Sequence, residues 1–360
     1  MNTNGIKRFI SCVVPVYSCN FRCKYCYLDN HDAKIGGIHE MILSPEKLIK
    51  RLSKERLGGI CYFNLCGVGE TMMHPQLNGL VYELTKEGHY CDIITNGTIS
   101  KKFGELLLML SNEQKSKLLV KFSFHYLELK RLSLLPVFAS NVEKCKKSGV
   151  SYSIEITPED DLIPHINDVK SYSLQHFGAL PHLTVTRTEE EVGIPLMTKY
   201  SFDEYKEIWG QFESDMFDFK TRIFRVKRKE FCYAGDWSLL LNLETGIYRQ
   251  CYKGRKLGNI TEQGDIHFCA IGKCLYPHCV NGHAFLTLGT IPEMDCPSYS
   301  AMRDRTTETG KQWLTEPCQK FFSSKLYDNN SEFAERKKKY AYAMTSLYEM
   351  AGKVKGKLKK

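Results

Sequence analysis

The chain alternates two hydrophobic rhythms. Six short segments rich in β-branched and aromatic residues recur at intervals of roughly 30 residues, and they read as strands. They are "RFISCVVPV", "GICYFNLCG", "YCDIITNG", "LLVKFSFHY", "VSYSIEIT" and "HLTVTRT". Amphipathic stretches with helical spacing lie between them. "SPEKLIKRLSKERL" carries Ser44 as a cap and Pro45 at the first helical position, and "SFDEYKEIWGQFESDMF" is capped by Ser201. Strand, helix, strand repeated with right-handed crossovers predicts an α/β fold, a partial (β/α)6 barrel of TIM type. Six units fall short of a closed barrel, so one side is left open for a later part of the chain to cover.

After the connector "KTRIFRVKRKEF" the rhythm changes. "WSLLLNL" and "IYRQC" read as two strands joined by "ETG", where Gly246 supplies the positive φ of a hairpin loop. From "PSYSAMRDR" to "WLTEPCQKFFSSKLYD" the pattern is helical and is expected to pack back on the barrel, with Arg303, Asp304 and Arg305 in surface pairs rather than in a substrate site. The expected division is a barrel over residues 1–220, a small Cys-rich domain built on the hairpin over 221–298, and a helical segment over 299–360.

Composition changes this picture at two places. With 42% hydrophobic and 25% charged residues the chain is an ordinary globular one. It has no signal-peptide pattern and no apolar run long enough to span a bilayer, so it reads as cytoplasmic with no membrane partner. Fifteen cysteines in such a compartment point to thiolates for metal binding rather than to a disulfide framework. The net charge of +9 is mostly a tail property: residues 335–360 hold nine Lys or Arg against two Glu. That tail reads as a solvated helix with a frayed end, and nucleic acid is not expected as a partner.

The unusual residues sit at strand ends. A cysteine cluster follows the first strand, "GVGE" (67–70) the second, "TNGT" (95–98) the third and "SFHY" (123–126) the fourth; Glu155 and Thr157 close the fifth, and Arg187 the sixth. In a parallel barrel all six positions converge on one face, where active sites form. The cluster itself, "YSCNFRCKYCYLD", places Cys19, Cys23 and Cys26 in a C-x3-C-x2-C pattern on one loop. Three thiolates on a short loop suit a 4Fe–4S cluster with one iron left open. A structural zinc site would want a fourth ligand nearby, and His31 is the nearest histidine.

With these motifs in register, the sequence resembles the radical S-adenosylmethionine superfamily, whose hallmark is this Cys triad after the first strand of a partial barrel. The resemblance implies that Cys19, Cys23 and Cys26 hold a 4Fe–4S cluster whose open iron chelates S-adenosylmethionine, with the aromatic Tyr25 before the last cysteine. It implies that Gly67, Val68, Gly69 and Glu70 hold the methionyl amino group, with Val68 interrupting the commoner paired glycines. Thr95, Asn96, Ser123, His125 and Glu155 stand where the family contacts the cofactor's ribose, its carboxylate or the substrate. In the family the reduced cluster passes an electron to the sulfonium, and a 5′-deoxyadenosyl radical takes a hydrogen atom from substrate.

The hairpin carries a second resemblance. Cys232, Gly246 and Cys251 form C-x13-G-x4-C, followed by "LGNI" (257–260), which is similar to the start of the SPASM and twitch auxiliary-cluster domains. Cys269, Cys274 and Cys279 follow at five-residue steps, without the longer C-x2-C-x5-C-x3-C run. One auxiliary 4Fe–4S cluster is expected on Cys232, Cys251, Cys274 and Cys279, with Cys269 in reserve. The competing reading is a zinc knuckle, and with it a zinc-binding interaction module that uses its basic tail on nucleic acid. Asp236 is the candidate proton acceptor, and His278 and His283 are candidate hydrogen-bond donors to cluster sulfur. Cys12, Cys61, Cys66, Cys91 and Cys145 read as buried small hydrophobes, and Cys296 and Cys318 fall in loop-like context.

The resemblance implies an oxidoreductase or peptide-modifying maturase that takes electrons from a one-electron reductant such as flavodoxin or ferredoxin. The first strand begins near residue 6, which leaves no room in this sequence for a leader-peptide-binding domain ahead of it. A small molecule such as a sugar is therefore favoured over a peptide as substrate.

Overall fold

A computed structural model of the chain describes residues 5–26, 36–188 and 194–357, with backbone alone for 348–357. His31 and the last three residues of the basic tail lie outside the described residues.

Five of the expected strands form as full parallel neighbours: β1 (Arg8–Val14), β2 (Cys61–Gly67), β3 (Tyr90–Thr95), β4 (Leu118–Ser123) and β5 (Ser151–Ile156). Of "HLTVTRT" only β6 (His182–Leu183) pairs with β5, through Glu155 and Ile156, and further on Arg187 makes an antiparallel bridge to Leu196. Helices return each strand to the next, among them Leu77–Glu87, Leu135–Ser148 and Ile166–Phe177. The two predicted helices are each broken in two. Pro45–Arg51 ends at Leu52, and Ser53 caps a second helix, Lys54–Leu57. Phe202–Gly210 starts at a capping box of Ser201 and Glu204, and Ser214 starts Asp215–Ile223. A second serine at a capping position restarts the chain where hydrophobic spacing alone reads through.

The outer face of the sheet packs Ile10, Val14, Leu65 and Ile93 against helix residues such as Leu48, Val81, Phe138 and Phe177. The inner face is different. Phe9, Tyr62 and Leu119, near the N-terminal ends of their strands, form one cluster with Phe285, Tyr299 and Phe322 from the C-terminal third. That aromatic plug closes the N-terminal end of the barrel and leaves the C-terminal end for the site. The helix Glu316–Ser323 is part of it, and Cys318 is a buried residue of that helix rather than of a loop.

After a short strand β7 (Phe231–Cys232), the hairpin forms as β8 (Ser238–Asn242) and β9 (Ile247–Arg249). Gly246 has φ 72°, as the turn requires. β8 lies parallel to β1, with Phe9 opposite Ser238 and Val13 opposite Asn242. β10 (Lys256–Asn259), which contains most of "LGNI", adds to β9. One nine-stranded sheet therefore runs β10-β9-β8-β1-β2-β3-β4-β5-β6. β11 (Gly272–Lys273) pairs with β7 in a separate two-stranded sheet. The connector's first residues, Lys220 to Ile223, are the last turn of a helix. The basic tail is a helix over Glu335–Lys357, anchored by Thr345 Oγ1 donating to Ile271 O at 2.7 Å.

Candidate active site

The loop after β1 is stitched to the loop after β2 through backbone. Gly69 N donates to Val16 O at 2.6 Å and Glu70 N to Ser18 O at 3.0 Å. A Cβ on Gly69 would fall on the carbonyl of Ser18, so this approach needs glycine. Glu70 then ties the second loop to the third. Its buried carboxylate accepts from Met72 N at 2.9 Å, Thr95 Oγ1 at 2.6 Å and Asn96 N at 2.7 Å. Burial raises its pKa, and these three donors work against that rise. Glu70 therefore braces the two loops, and with three donors on about four acceptor positions its carboxylate keeps capacity for the ligand ammonium that the sequence suggests. Alanine at Glu70 would leave three buried donors without an acceptor. Denaturant unfolding of Glu70→Ala is expected to show a loss of about 3 kcal/mol.

Asn96 carries the bracing on to the cysteines. Its Nδ2 donates to Asn20 Oδ1 at 2.7 Å and lies 4.0 Å from Cys19 Sγ. Cys23 is buried, and Cys19 and Cys26 are partly so. Burial and then Glu128 push the Cys23 thiol up to about 12, with smaller contributions from Cys26 and Cys19, so the three sulfurs share one neighbourhood. Tyr25 hydrogen-bonds His125 Nδ1, and the His125 ring stands edge-on to Phe21 at 5.9 Å. Glu128, which the sequence reading passed over, accepts from Arg22 N at 2.9 Å and holds the loop from the side of the fourth strand. Val68 and Ser123 are partly buried at the same strand ends.

Below these loops the barrel interior is polar. Ser11, Asn64 and Asp92 are aligned on β1, β2 and β3. Asp92 accepts from Asn64 Nδ2 at 2.6 Å and from Tyr62, and forms an ion pair of 2.9 Å with Lys121 of β4. Glu155 is paired with Arg303, which is fully buried rather than on the surface as expected. Burial would raise the Glu155 pKa, but Arg303, Lys121 and Lys220 hold it below the usual carboxylate value. Glu155 thus stands in an ion-pair network. The signal for this layer was present in the sequence as one polar residue inside each strand, Ser11, Asn64, Asp92 and Lys121, where a fully buried strand would be apolar.

The second cysteine group gathers as well. Cys232, Cys251, Cys274 and Cys279 line one cavity together with Tyr252 and His278. After burial, Cys251, Cys274 and Cys279 each raise the pKa of Cys232, and Cys274 and Cys251 raise that of Cys279. Cys269 does not line this cavity; its Sγ accepts from Arg255 Nη2 at 2.8 Å. Tyr252 hydrogen-bonds Ser11 through their hydroxyls at 3.0 Å, which joins this group to the barrel interior. His278 Nδ1 accepts from Arg225 N at 3.1 Å, and burial lowers its pKa to about 4.

Asp236 is not brought to the strand-end loops. It pairs with Arg8 at 3.7 Å, at the opposite end of β1, roughly 20 Å along the strand. It lines instead a cavity of about 600 Å³ between Cys251, Cys274 and the C-terminal helix. Cys12, Cys61, Cys91 and Cys145 are buried as expected, whereas Cys66 is only partly so. Among the described residues no three His, Cys, Asp or Glu side chains surround a point as ligands of a single metal ion would. A 4Fe–4S cube would take each cysteine on a different iron, so thiols that hold one need not surround a single point.

Residues 13–119 match the family model of the Radical SAM superfamily. The chain carries a radical SAM domain. The match runs from the end of β1 to the start of β4 and includes the Cys19 loop, "GVGE" and "TNGT"; the second cysteine group lies outside this radical SAM match. Two solved structures of similar fold are of Streptococcus suis SuiB. One is 12% identical with a TM-score of 0.50, over 72% of this chain and 64% of that one. The other, SuiB bound to S-adenosylmethionine, is 13% identical with a TM-score of 0.51 over the same shares. At these identities the likeness is one of fold, and the chain spans 64% of SuiB's length. No curated protein sequence matches the chain. Among the described residues no helix is long and apolar enough to cross a membrane.

Proposed function

We propose that the chain is a radical S-adenosylmethionine enzyme that removes a hydrogen atom from a small molecule or a peptide, with a second 4Fe–4S cluster assisting oxidation. The observation that carries this reading is the pair of thiol sets, three on the loop after β1 and four lining one cavity that reaches the barrel interior through Tyr252. With S-adenosylmethionine on its open iron, a cluster held by Cys19, Cys23 and Cys26 would supply the 5′-deoxyadenosyl radical. Gly69, Glu70 and Asn96 fix the three loops around that ligand, and Tyr25, Phe21 and His125 wall it from water. On this reading Cys232, Cys251, Cys274 and Cys279 are the auxiliary ligands and Cys269 is not. Residues 1–220 would carry the radical chemistry, 221–298 the second cluster, and 299–360 the closure of the barrel, with electrons supplied by a carrier such as flavodoxin or ferredoxin.

The test is anaerobic reconstitution followed by iron and sulfide counts. About eight irons per chain are expected, falling to about four when Cys232 and Cys251 are both replaced by alanine. The same variant should still release 5′-deoxyadenosine from S-adenosylmethionine under reductant. Zinc in place of iron, with no cleavage, would reject the reading in favour of a metal-binding interaction module.

A further inference from the structure

Among the described residues, the two carboxylates inside the barrel, Asp92 and Glu155, each already have a cation. Asp92 is taken up by Lys121, Tyr62 and Asn64, and Glu155 by Arg303. That leaves Lys220, which projects from the last turn of the helix Asp215–Ile223 and hydrogen-bonds Thr184. The charged groups facing it are Glu155, which favours its protonation, and Arg187, Arg303 and Lys121, which oppose it. Burial first, and then these cations, lower the Lys220 pKa to about 7. His283 senses the same field: after burial, Lys220, Arg303, Lys121 and Arg187 all act against its protonation.

Two further observations mark a seat rather than a chance crowding. Arg303 is fully buried, yet its Nε and Nη2 have no hydrogen-bond partner among the described residues. Lys220, Arg187 and His283 line one small cavity that also touches Cys279, and Lys220 and Arg187 are partly exposed there. Buried positive charge in excess is costly unless a counter-charge arrives.

We propose that the substrate carries an oxyanion, a carboxylate or a phosphate, which ion-pairs with Lys220 in the field of Arg303 and Arg187 and so places the rest of the molecule inside the barrel beside the second cysteine group. The inference rests on the enzymatic reading above for the word substrate. Its test reads binding alone, so the two fail separately. An anion seat without iron or cleavage would reject the enzyme and keep the seat; iron and cleavage without an anion effect would do the reverse.

The experiment compares thermal unfolding of the reconstituted protein in inorganic phosphate, in succinate and in chloride at matched ionic strength. In the wild type, phosphate or succinate is expected to raise the midpoint by at least about 2 °C over chloride, the larger effect naming the group. Lys220→Met should lose this response while starting from an equal or higher midpoint, since it removes a charge crowded by others of its sign. Lys220→Arg should keep it. A wild type indifferent to both anions, or a Lys220→Met protein that responds as the wild type does, overturns the proposal. So does a response abolished by saturating S-adenosylmethionine, which would give the seat to the cofactor's own carboxylate.

Discussion

Alanine at Cys19, Cys23 and Cys26 together is expected to abolish release of 5′-deoxyadenosine from S-adenosylmethionine and to remove about four of about eight irons. The expectation follows from where these thiols stand. They share one neighbourhood on a loop fixed by Gly69, Asn96 and Glu128, whereas Cys232, Cys251, Cys274 and Cys279 line a separate cavity. The iron that remains in the triple variant should therefore be silent toward the cofactor. Cleavage retained by that protein would remove the Cys19 loop from the mechanism.

The second large effect is expected at Gly69. Gly67, the last residue of β2, and Gly69, in the loop after it, flank Val68, yet their surroundings differ. A Cβ on Gly67 would come no closer than 3.3 Å to a neighbour, Cβ of Val16, a contact that small shifts relieve. A Cβ on Gly69 meets the backbone of Ser18, and relieving it means separating the "GVGE" loop from the cysteine loop and breaking the bonds to Val16 and Ser18. Gly69→Ala is expected to weaken S-adenosylmethionine binding and cleavage by at least about tenfold, since a misplacement of about 1 Å is enough for that. Gly67→Ala should stay within about threefold of the wild type. Calorimetric titration of the cofactor and a deoxyadenosine assay read both; equal losses in the two variants would defeat the packing argument.

Much of this was legible in the chain. The strands β1 to β5 announced themselves because each is rich in β-branched and aromatic residues and ends in a polar loop, and the Cys19 triad, "GVGE" and "TNGT" lie within a few residues of those ends. The fate of "HLTVTRT" was not legible, because β propensity cannot say how many partners the neighbouring strand has left to offer. Arg303 was misread for a related reason. "RDR" has the local look of a surface run, and only the aromatic plug of Phe9, Tyr62 and Tyr299 carries it inside to meet Glu155, 148 positions away. The bracing by Glu70 was not legible, because two of its three donors, Thr95 and Asn96, come from the end of the third strand and cannot be counted along the sequence.

The seam between β1 and β8 has a consequence for biosynthesis. β1 leaves the ribosome well before the strand that completes its second edge, opposite Phe9 to Val13, which begins at Ser238. At roughly 5–20 residues per second, β1 waits on the order of ten seconds or more with one row of amides and carbonyls unsatisfied. A nascent chain stalled before residue 238 would offer that row to a chaperone or to another chain. Any attempt to express the barrel without the hairpin would make the wait permanent.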